Sequence, residues 1–141
     1  MPNFYLSNKD KLFVITRASS LCEYCQFSED FAYQPFCIDH IIPISKGGLN
    51  ELNNLAYSCQ NCNGHKYNKI HGLDPSTKEE AALFNPRKQK WGHHFIWNED
   101  HSIILGTTLI GRATVNTLRM NEQKYSQLRK ILFEAGIYPK N

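Results

Sequence analysis

The chain has 141 residues, of which 41% are hydrophobic and 21% are charged, and its formal net charge is +3 at pH 7. That length provides one hydrophobic core and is short for two, so we expect a single domain over residues 1–141. No apolar run approaches the roughly eighteen residues of a membrane span, and residues 1–4 lack the basic start of a signal peptide. We therefore expect a cytoplasmic protein without a membrane segment.

The first predicted elements are a helix and a cysteine turn. Ser7 or Asn8 provides an N-cap, and apolar residues at positions 12, 13 and 15 give an apolar side to a helix that extends to Ala18. Cys22 and Cys25 follow in a tight turn of the zinc-knuckle kind. We expect the helix to pack on the core and the turn to present two thiolates.

The next stretch, residues 36–66, contains most of the polar chemistry. A short apolar run predicts a buried strand that ends at Asp39 and His40. Residues 41–44 resume a strand-like pattern, in which a proline excludes a helix, and a Gly-Gly turn follows. Apolar residues at positions 52, 55, 56 and 59 recur at helical spacing, which predicts a helix after the turn.

Two cysteine pairs share one spacing. Cys59 and Cys62 repeat the separation of Cys22 and Cys25. Two thiolates three positions apart can both reach one tetrahedral ion, so the four residues are predicted to bind a structural Zn²⁺. In a reducing cytosol this interpretation is favoured over disulfides. Cys37 has no partner at this spacing, so we expect it in the core.

The positive charge lies in the second half of the chain. Residues 1–70 contain six basic and six acidic side chains, whereas residues 71–141 contain ten basic and seven acidic ones. With four thiolates and a zinc ion, the first half becomes about two units negative. Contacts with nucleic-acid phosphates would then come largely from the C-terminal half.

The densest basic cluster consists of Arg87, Lys88 and Lys90. It ends an irregular segment, residues 71–90, that has a short helical signal over residues 77–83. We interpret the cluster either as a clamp for phosphates or as a solvated loop. The pattern leaves both interpretations open.

Three further elements are predicted towards the C-terminus. Aromatic and polar residues alternate over residues 93–97, a turn is expected at residues 98–100, and residues 102–105 form a second apolar strand pattern, which together predict a β-hairpin. Residues 111–118 and 121–135 predict two helices, and Gly136 is a suitable stop for the second.

The motifs together resemble those of HNH nucleases. They are Cys-x-x-Cys, Asp-His-Ile-x-Pro, Gly-Gly, Asn-Leu and Cys-x-x-Cys-Asn-x-x-Lys, over residues 17–66. A weaker resemblance, at residues 83–87 and 111–115, is to the tail of one group of small bacterial HNH proteins. The resemblance implies an α+β fold, with a treble-clef-like ββα-metal core and structural zinc at about residues 17–70. A C-terminal extension over residues 71–141 would add the hairpin and the two helices.

Hydrolysis of a phosphodiester requires an activated water and a cation that neutralises the phosphate and the leaving oxygen. His40 is the candidate general base, since a neutral imidazole accepts a proton near neutral pH. Asp39 points to the opposite side if the backbone is extended, and it is the candidate ligand of a hard divalent ion. Neighbouring residues would thus serve the water and the metal.

The resemblance implies roles for three further residues. Asn54 would orient the base or its loop as a catalytic residue. Asn63 takes the third motif position, where the family often has histidine, and its amide oxygen suits Mg²⁺ or Mn²⁺ better than zinc. His65 is a rival ligand two positions later. Lys66 would contact a phosphate, or it would be an ordinary exposed helix lysine.

Two functions of different classes follow. The first is a metal-dependent HNH endonuclease that hydrolyses phosphodiester bonds in DNA, with RNA not excluded as a substrate. The second is a zinc-stabilised module that binds nucleic acid without cleaving it. The set of Asp39, His40, Asn54 and Asn63 favours the enzyme, because a module that only binds needs neither a base nor a second metal.

Overall fold

The computed structural model describes residues 5–139. Residues 1–4, on which the expectation of no signal peptide rested, and residues 140–141 lie outside this range. Helix α1 (Asn8–Ala18) begins after Ser7, whose hydroxyl accepts a hydrogen bond from the Asp10 amide at 3.1 Å. It ends at Ser19, which has a φ of 54°. The predicted helix and its cap are confirmed.

A ββα unit forms the centre of the first half. Strand β1 (Cys37–His40) pairs antiparallel with β2 (Leu55–Ser58), and His40 lies opposite Leu55. Helix α2 (Gln60–Lys66) begins two residues after β2 ends. The Arg17 guanidinium joins α1 to this unit by donating to the carbonyls of Leu52 and Leu55, at 2.9 and 2.7 Å. The predicted α+β class is confirmed.

The predicted helix over positions 52–59 is wrong. Leu52–Asn54 forms a single 3₁₀ turn, and the chain then extends into β2. All four residues of β2 are buried, so apolar side chains occupy both faces of the strand. A short run of this kind cannot be distinguished from a buried helix segment by periodicity alone.

The segment after β1 is a loop rather than the predicted strand. The N–H and the carbonyl of Ile42 bond to the Asn54 side chain, at 2.9 and 3.0 Å, instead of to a neighbouring strand. A 3₁₀ turn, Ile44–Lys46, follows. A Cβ added to Gly48 would lie 1.7 Å from the Ile42 carbonyl oxygen, so this loop requires glycine there.

The second half begins with a short hairpin where a helix was expected. Strands β3 (His71–Leu73) and β4 (Glu80–Ala82) pair antiparallel. Between them, the buried Asp74 carboxylate accepts hydrogen bonds from the Ser76 N–H and the Thr77 hydroxyl, at 2.9 and 3.0 Å. These bonds fix a turn, so the helical signal over residues 77–83 is wrong.

The other C-terminal predictions are confirmed. Strands β5 (Phe95–Trp97) and β6 (Ile104–Gly106) form a hairpin, and helices α3 (Leu109–Leu118) and α4 (Gln123–Glu134) follow. Helix α3 packs closely on this hairpin, because a Cβ on Gly111 would lie 2.0 Å from the His94 carbonyl oxygen. None of the helices within residues 5–139 is long and apolar enough to cross a membrane.

Buried residues of both halves form one hydrophobic cluster, from Val14 in α1 to Tyr138 near the C-terminus. Polar contacts join the halves at the cysteine turn. The Trp91 indole N–H donates to the Tyr24 carbonyl at 2.8 Å, and the Tyr138 hydroxyl donates to the Gln26 carbonyl at 2.9 Å. The C-terminal half therefore supports the backbone that presents Cys22 and Cys25.

Candidate metal centre and active site

The four paired cysteines converge at the base of the ββα unit. Cys22 and Cys25 lie in the turn after α1, Cys59 caps the N-terminus of α2, and Cys62 lies in its first turn. All four side chains are buried, and their sulfur atoms lie within 4.8 Å of one another. The Cys25 and Cys59 sulfurs are 3.7 Å apart. A tetrahedral zinc with bonds of about 2.3 Å requires sulfurs about 3.8 Å apart, so the site fits a zinc ion.

The electrostatics of this cluster favour a cation. Burial raises the pKa of Cys22, but hydrogen bonds from Cys25, Cys59 and Cys62 outweigh it and hold the pKa of Cys22 well below its ordinary value. The pKa of Cys25 is raised well above its ordinary value, chiefly by hydrogen bonds with Cys22 and Cys59. The pKa of Cys62 is raised likewise, chiefly by hydrogen bonds with Cys22, Cys25 and Cys59. One thiolate is thus stabilised by its neighbours. A divalent ion would stabilise all four.

Asp39 is held in a buried ion pair. Its side chain is 6% exposed, its Oδ2 accepts from the Tyr24 hydroxyl at 2.7 Å, and the Lys66 ammonium lies 3.1 Å from the same oxygen. Its Oδ1 has a longer contact of 3.4 Å with Lys66. Burial raises the pKa of Asp39, and the opposing effects of Lys66 and Tyr24 are smaller.

Lys66 does not lie at the surface as a phosphate contact or as an exposed helix lysine. Its side chain is 1% exposed. Besides Asp39, its ammonium donates to the carbonyls of His40 and Ile41, at 3.2 and 3.0 Å. The prediction of a phosphate contact is therefore corrected: this ammonium neutralises Asp39 and fixes the backbone at the end of β1.

His40 lies on the more open side of β1. Asp39 is buried, whereas the next residue, His40, is half-buried, as the alternation of a strand requires. The His40 Nε2 lies 2.9 Å from Oδ1 of Asn50. That amide also donates from its Nδ2 to the Tyr5 carbonyl at 3.2 Å. Since Oδ1 can only accept, Nε2 is the donor in this contact, and Nδ1 is the ring nitrogen that can serve as a base.

Asn54 contacts the loop after β1 rather than the imidazole. Besides its two bonds to Ile42, its Nδ2 donates to the Leu49 carbonyl at 2.8 Å, so one amide closes the loop at both ends. The backbone carbonyl of Asn54 accepts a hydrogen bond from the Ile41 N–H at 2.9 Å. This geometry matches the second of the two roles expected for Asn54, orientation of the loop.

Helix α2 presents the two rivals for the third motif position. Asn63 and His65 are both half-buried. The His65 Nδ1 lies 2.9 Å from the Asn61 carbonyl, to which it can only donate, so Nε2 is the ring nitrogen that could bind a metal. Asn63 lies one helical turn before Lys66 on the same helix. Both residues offer a donor atom of the type that binds a metal, oxygen from Asn63 and nitrogen from His65.

The residues of the predicted basic cluster differ in their burial. The Arg87 guanidinium forms an ion pair with Glu23, and its side chain is 13% exposed. Burial, and then the nearby Arg17, lower the pKa of Arg87 to about 10. Arg87 therefore joins the C-terminal half to the cysteine turn, and we remove it from the predicted phosphate contacts. Lys88 and Lys90 are exposed.

Part of the chain matches a known protein family. Residues 22–69, about a third of the chain, match the family model described as HNH endonuclease. Because of this match, residues 22–69 are referred to as the HNH domain. The match includes the four cysteines, the ββα unit and Lys66, and it confirms the resemblance that the motifs indicated. No curated protein and no solved structure matches the chain.

Two contacts of the HNH domain were missed at the sequence level. Tyr24, between the first two cysteines, donates to Asp39, and Asn50, ten residues after His40, contacts its ring. One feature of the sequence could have indicated the contact of Asn50: it is a polar residue in the loop between the Gly-Gly turn and Asn54. Tyr24 had none, since its contact exists only once the cysteine turn has folded against β1.

Proposed function

We propose that the protein is a metal-dependent endonuclease that hydrolyses phosphodiester bonds in DNA. One observation carries this proposal. Asp39 and His40 end a strand of a ββα unit, and polar side chains of the same HNH domain fix the backbone around them. A domain that only bound nucleic acid would not require a buried carboxylate beside a histidine.

In this proposal His40 is the general base. Its Nδ1 accepts a proton from a water molecule that attacks the phosphorus atom. Asn54 restrains the loop that follows His40, which limits the positions that the imidazole can adopt. Lys66 restrains the carbonyls of His40 and Ile41 from the other side. The base is thereby positioned before substrate binds, which lowers the entropic cost of the reaction.

Asp39 and Asn63 are the proposed ligands of the catalytic ion. Both offer oxygen atoms, which suit Mg²⁺ or Mn²⁺. The Asp39 Oδ1 has a long contact of 3.4 Å with Lys66, whereas Oδ2 has shorter contacts with Tyr24 and Lys66, so Oδ1 is the carboxylate oxygen more available to a metal. When bound, such an ion supplies positive charge to the phosphate and the leaving oxygen. The zinc proposed at the four cysteines is structural, because all four are buried.

Lys88 and Lys90 are the remaining candidates for phosphate contacts. Both are exposed, and they lie in the half of the chain that holds the excess of basic residues. Lys88 also lines a cavity of about 280 Å³ together with Ile41, which directly follows His40. The exposed ammonium groups of Lys88 and Lys90 would contact phosphates of the nucleic-acid backbone.

The test compares wild type with His40→Ala on plasmid DNA, single-stranded DNA and RNA, in Mg²⁺, Mn²⁺, Ni²⁺ or EDTA. We expect cleavage that EDTA abolishes and that His40→Ala slows about 10²- to 10⁴-fold, with DNA affinity retained. A zinc assay of the EDTA-treated protein separates loss of the exchangeable ion from unfolding. Equal cleavage by the two proteins would remove His40 from the mechanism.

One observation favours the non-cleaving alternative. The carboxylate of Asp39 is already neutralised by a buried ammonium, as a purely structural ion pair would be. In that case, wild type binds DNA with a salt-dependent affinity and cleaves none of the substrates in any metal. The same assay therefore distinguishes the two functions.

A further inference from the structure

We infer that Asn50 is a positioning residue for His40: its side-chain amide holds the imidazole with Nε2 protonated and Nδ1 directed to the reacting water. This inference deepens the proposed function and depends on it for its catalytic consequence. Asn50 belongs to none of the motif positions that indicated the HNH domain.

The orientation of the Asn50 amide is fixed from two sides. Oδ1 lies 2.9 Å from the His40 Nε2, and Nδ2 lies 3.2 Å from the Tyr5 carbonyl oxygen. An amide rotated by half a turn would place its NH₂ against Nε2 and its oxygen against the Tyr5 carbonyl oxygen. The second contact would be repulsive, so the segment before α1 selects the rotamer that accepts from His40.

The backbone that carries Asn50 is also restrained. The preceding residue, Leu49, accepts a hydrogen bond from the Asn54 side chain at 2.8 Å. The loop between the two strands is therefore closed immediately before Asn50, and the amide projects from a fixed point. A histidine whose second nitrogen is held in this way retains one tautomer and one ring orientation.

The alternative is that Asn50 merely tethers the N-terminal segment to the loop. The two possibilities differ in what a substitution changes. A tether affects stability and leaves the reactive atom of His40 unaltered. A positioning residue affects the catalytic rate and the tautomer of the ring at constant fold and zinc content.

The first experiment measures cleavage by Asn50→Ala under single-turnover conditions. We expect a rate about 10- to 100-fold below wild type, with substrate affinity and zinc content unchanged. Asn53→Ala, which truncates an exposed asparagine of the same segment, is the matched control and should cleave as wild type does. Asn50→Asp retains an acceptor for Nε2 but loses the donor to Tyr5, so it should recover part of the rate.

The second experiment observes the His40 ring by ¹⁵N NMR, at a pH where it is neutral, and assigns its signals by their absence in His40→Ala. Wild type should show protonated Nε2 and unprotonated Nδ1, and Asn50→Ala should show a mixture of tautomers. This result does not require cleavage, so it stands even if the protein proves not to be a nuclease. An unchanged tautomer in folded Asn50→Ala, or a wild-type cleavage rate in that variant, would overturn the inference.

Discussion

Each half of the molecule buries one aspartate beside a basic side chain. In the HNH domain, Asp39 is 6% exposed and faces the buried ammonium of Lys66. In the C-terminal half, Asp74 is fully buried and faces Arg112, whose side chain is 32% exposed. The two ion pairs therefore differ chiefly in how far the cation is removed from water.

The difference appears in the protonation of the two carboxylates. Burial raises the pKa of Asp39, although Lys66 opposes it. The Arg112 guanidinium lowers the pKa of Asp74 below its ordinary value, assisted by the hydrogen bonds that fix the β3–β4 turn. The neighbours of Asp74 stabilise its ionised form, whereas burial destabilises the ionised form of Asp39. The two aspartates thus have similar burial but opposite shifts in pKa, because the cation beside Asp39 is itself removed from water.

Removal of one thiolate should disrupt the HNH domain most severely. Cys59→Ala should lose zinc and unfold residues 22–69, because binding of a structural zinc contributes about 10–16 kcal/mol to the folding of small zinc domains. Metal analysis and far-UV circular dichroism measure both effects. Cys37→Ala, which removes the cysteine outside the cluster, should keep its zinc. Stoichiometric zinc in Cys59→Ala would contradict the proposed site.

The comparison of the two ion pairs is tested next by removing each cation. Lys66→Met should destabilise the protein by about 3–5 kcal/mol in urea unfolding, because it leaves a buried carboxylate without its cation. Arg112→Met should cost less, since that cation is partly solvated and Asp74 keeps two other donors.

Two further variants complete this test. Lys69→Met, which removes an exposed lysine of the same segment, should have little effect on stability. The double variant Asp39→Asn/Lys66→Met should recover part of the loss, because it removes both charges together. Equal losses in Lys66→Met and Arg112→Met would show that the depth of the cation does not matter.

The lowered pKa of Asp74 predicts a smaller effect that depends on pH. Its ionised form stabilises the fold above the unfolded-state pKa of about 3.9, and this stabilisation is lost as the pH falls through the lower native pKa. Asp74→Asn should therefore be less stable than wild type at neutral pH, and the difference should shrink below about pH 4. Urea unfolding at a series of pH values measures it. A constant difference would contradict the assignment.

The smallest expected effect separates the members of the basic cluster. Replacing Lys88 and Lys90 with alanine should reduce the salt dependence of DNA binding by up to about two phosphate contacts. Arg87→Ala should leave that slope unchanged and lower stability instead, because it breaks the pair with Glu23. Fluorescence anisotropy over a range of salt concentrations, with urea unfolding in parallel, distinguishes the two outcomes.

The sequence was most informative where spacing along the chain determines proximity. The shared spacing of the two cysteine pairs predicted that they lie together, because a tetrahedral metal site requires four ligands and each pair supplies two. Asp39 and His40 were also predicted to point to opposite faces, because neighbouring residues do so in every strand. Errors arose in short segments such as Leu55–Ser58, where burial on both faces imitates helical spacing.

Properties that depend on tertiary partners could not be predicted. The sequence presents Lys66 and Arg87 as basic residues suited to phosphates, yet each is paired with a carboxylate that lies at least 27 positions away. The contact between Asn50 and His40 likewise requires a closed loop. Charge along a chain indicates available ions, and only the fold shows which of them remain available to a ligand.

The indole of Trp91 gives the metal site a natural optical reporter. It donates to the carbonyl of Tyr24, a residue between two cysteines of the proposed zinc site, and its ring stacks on Phe95 with centroids 5.0 Å apart. Tryptophan emission depends on the polarity around the ring. Release of the cysteine turn would free the indole N–H to water and shift the emission to longer wavelengths. Tryptophan fluorescence would thus report loss of the metal without a label, in the same sample in which DNA cleavage is measured.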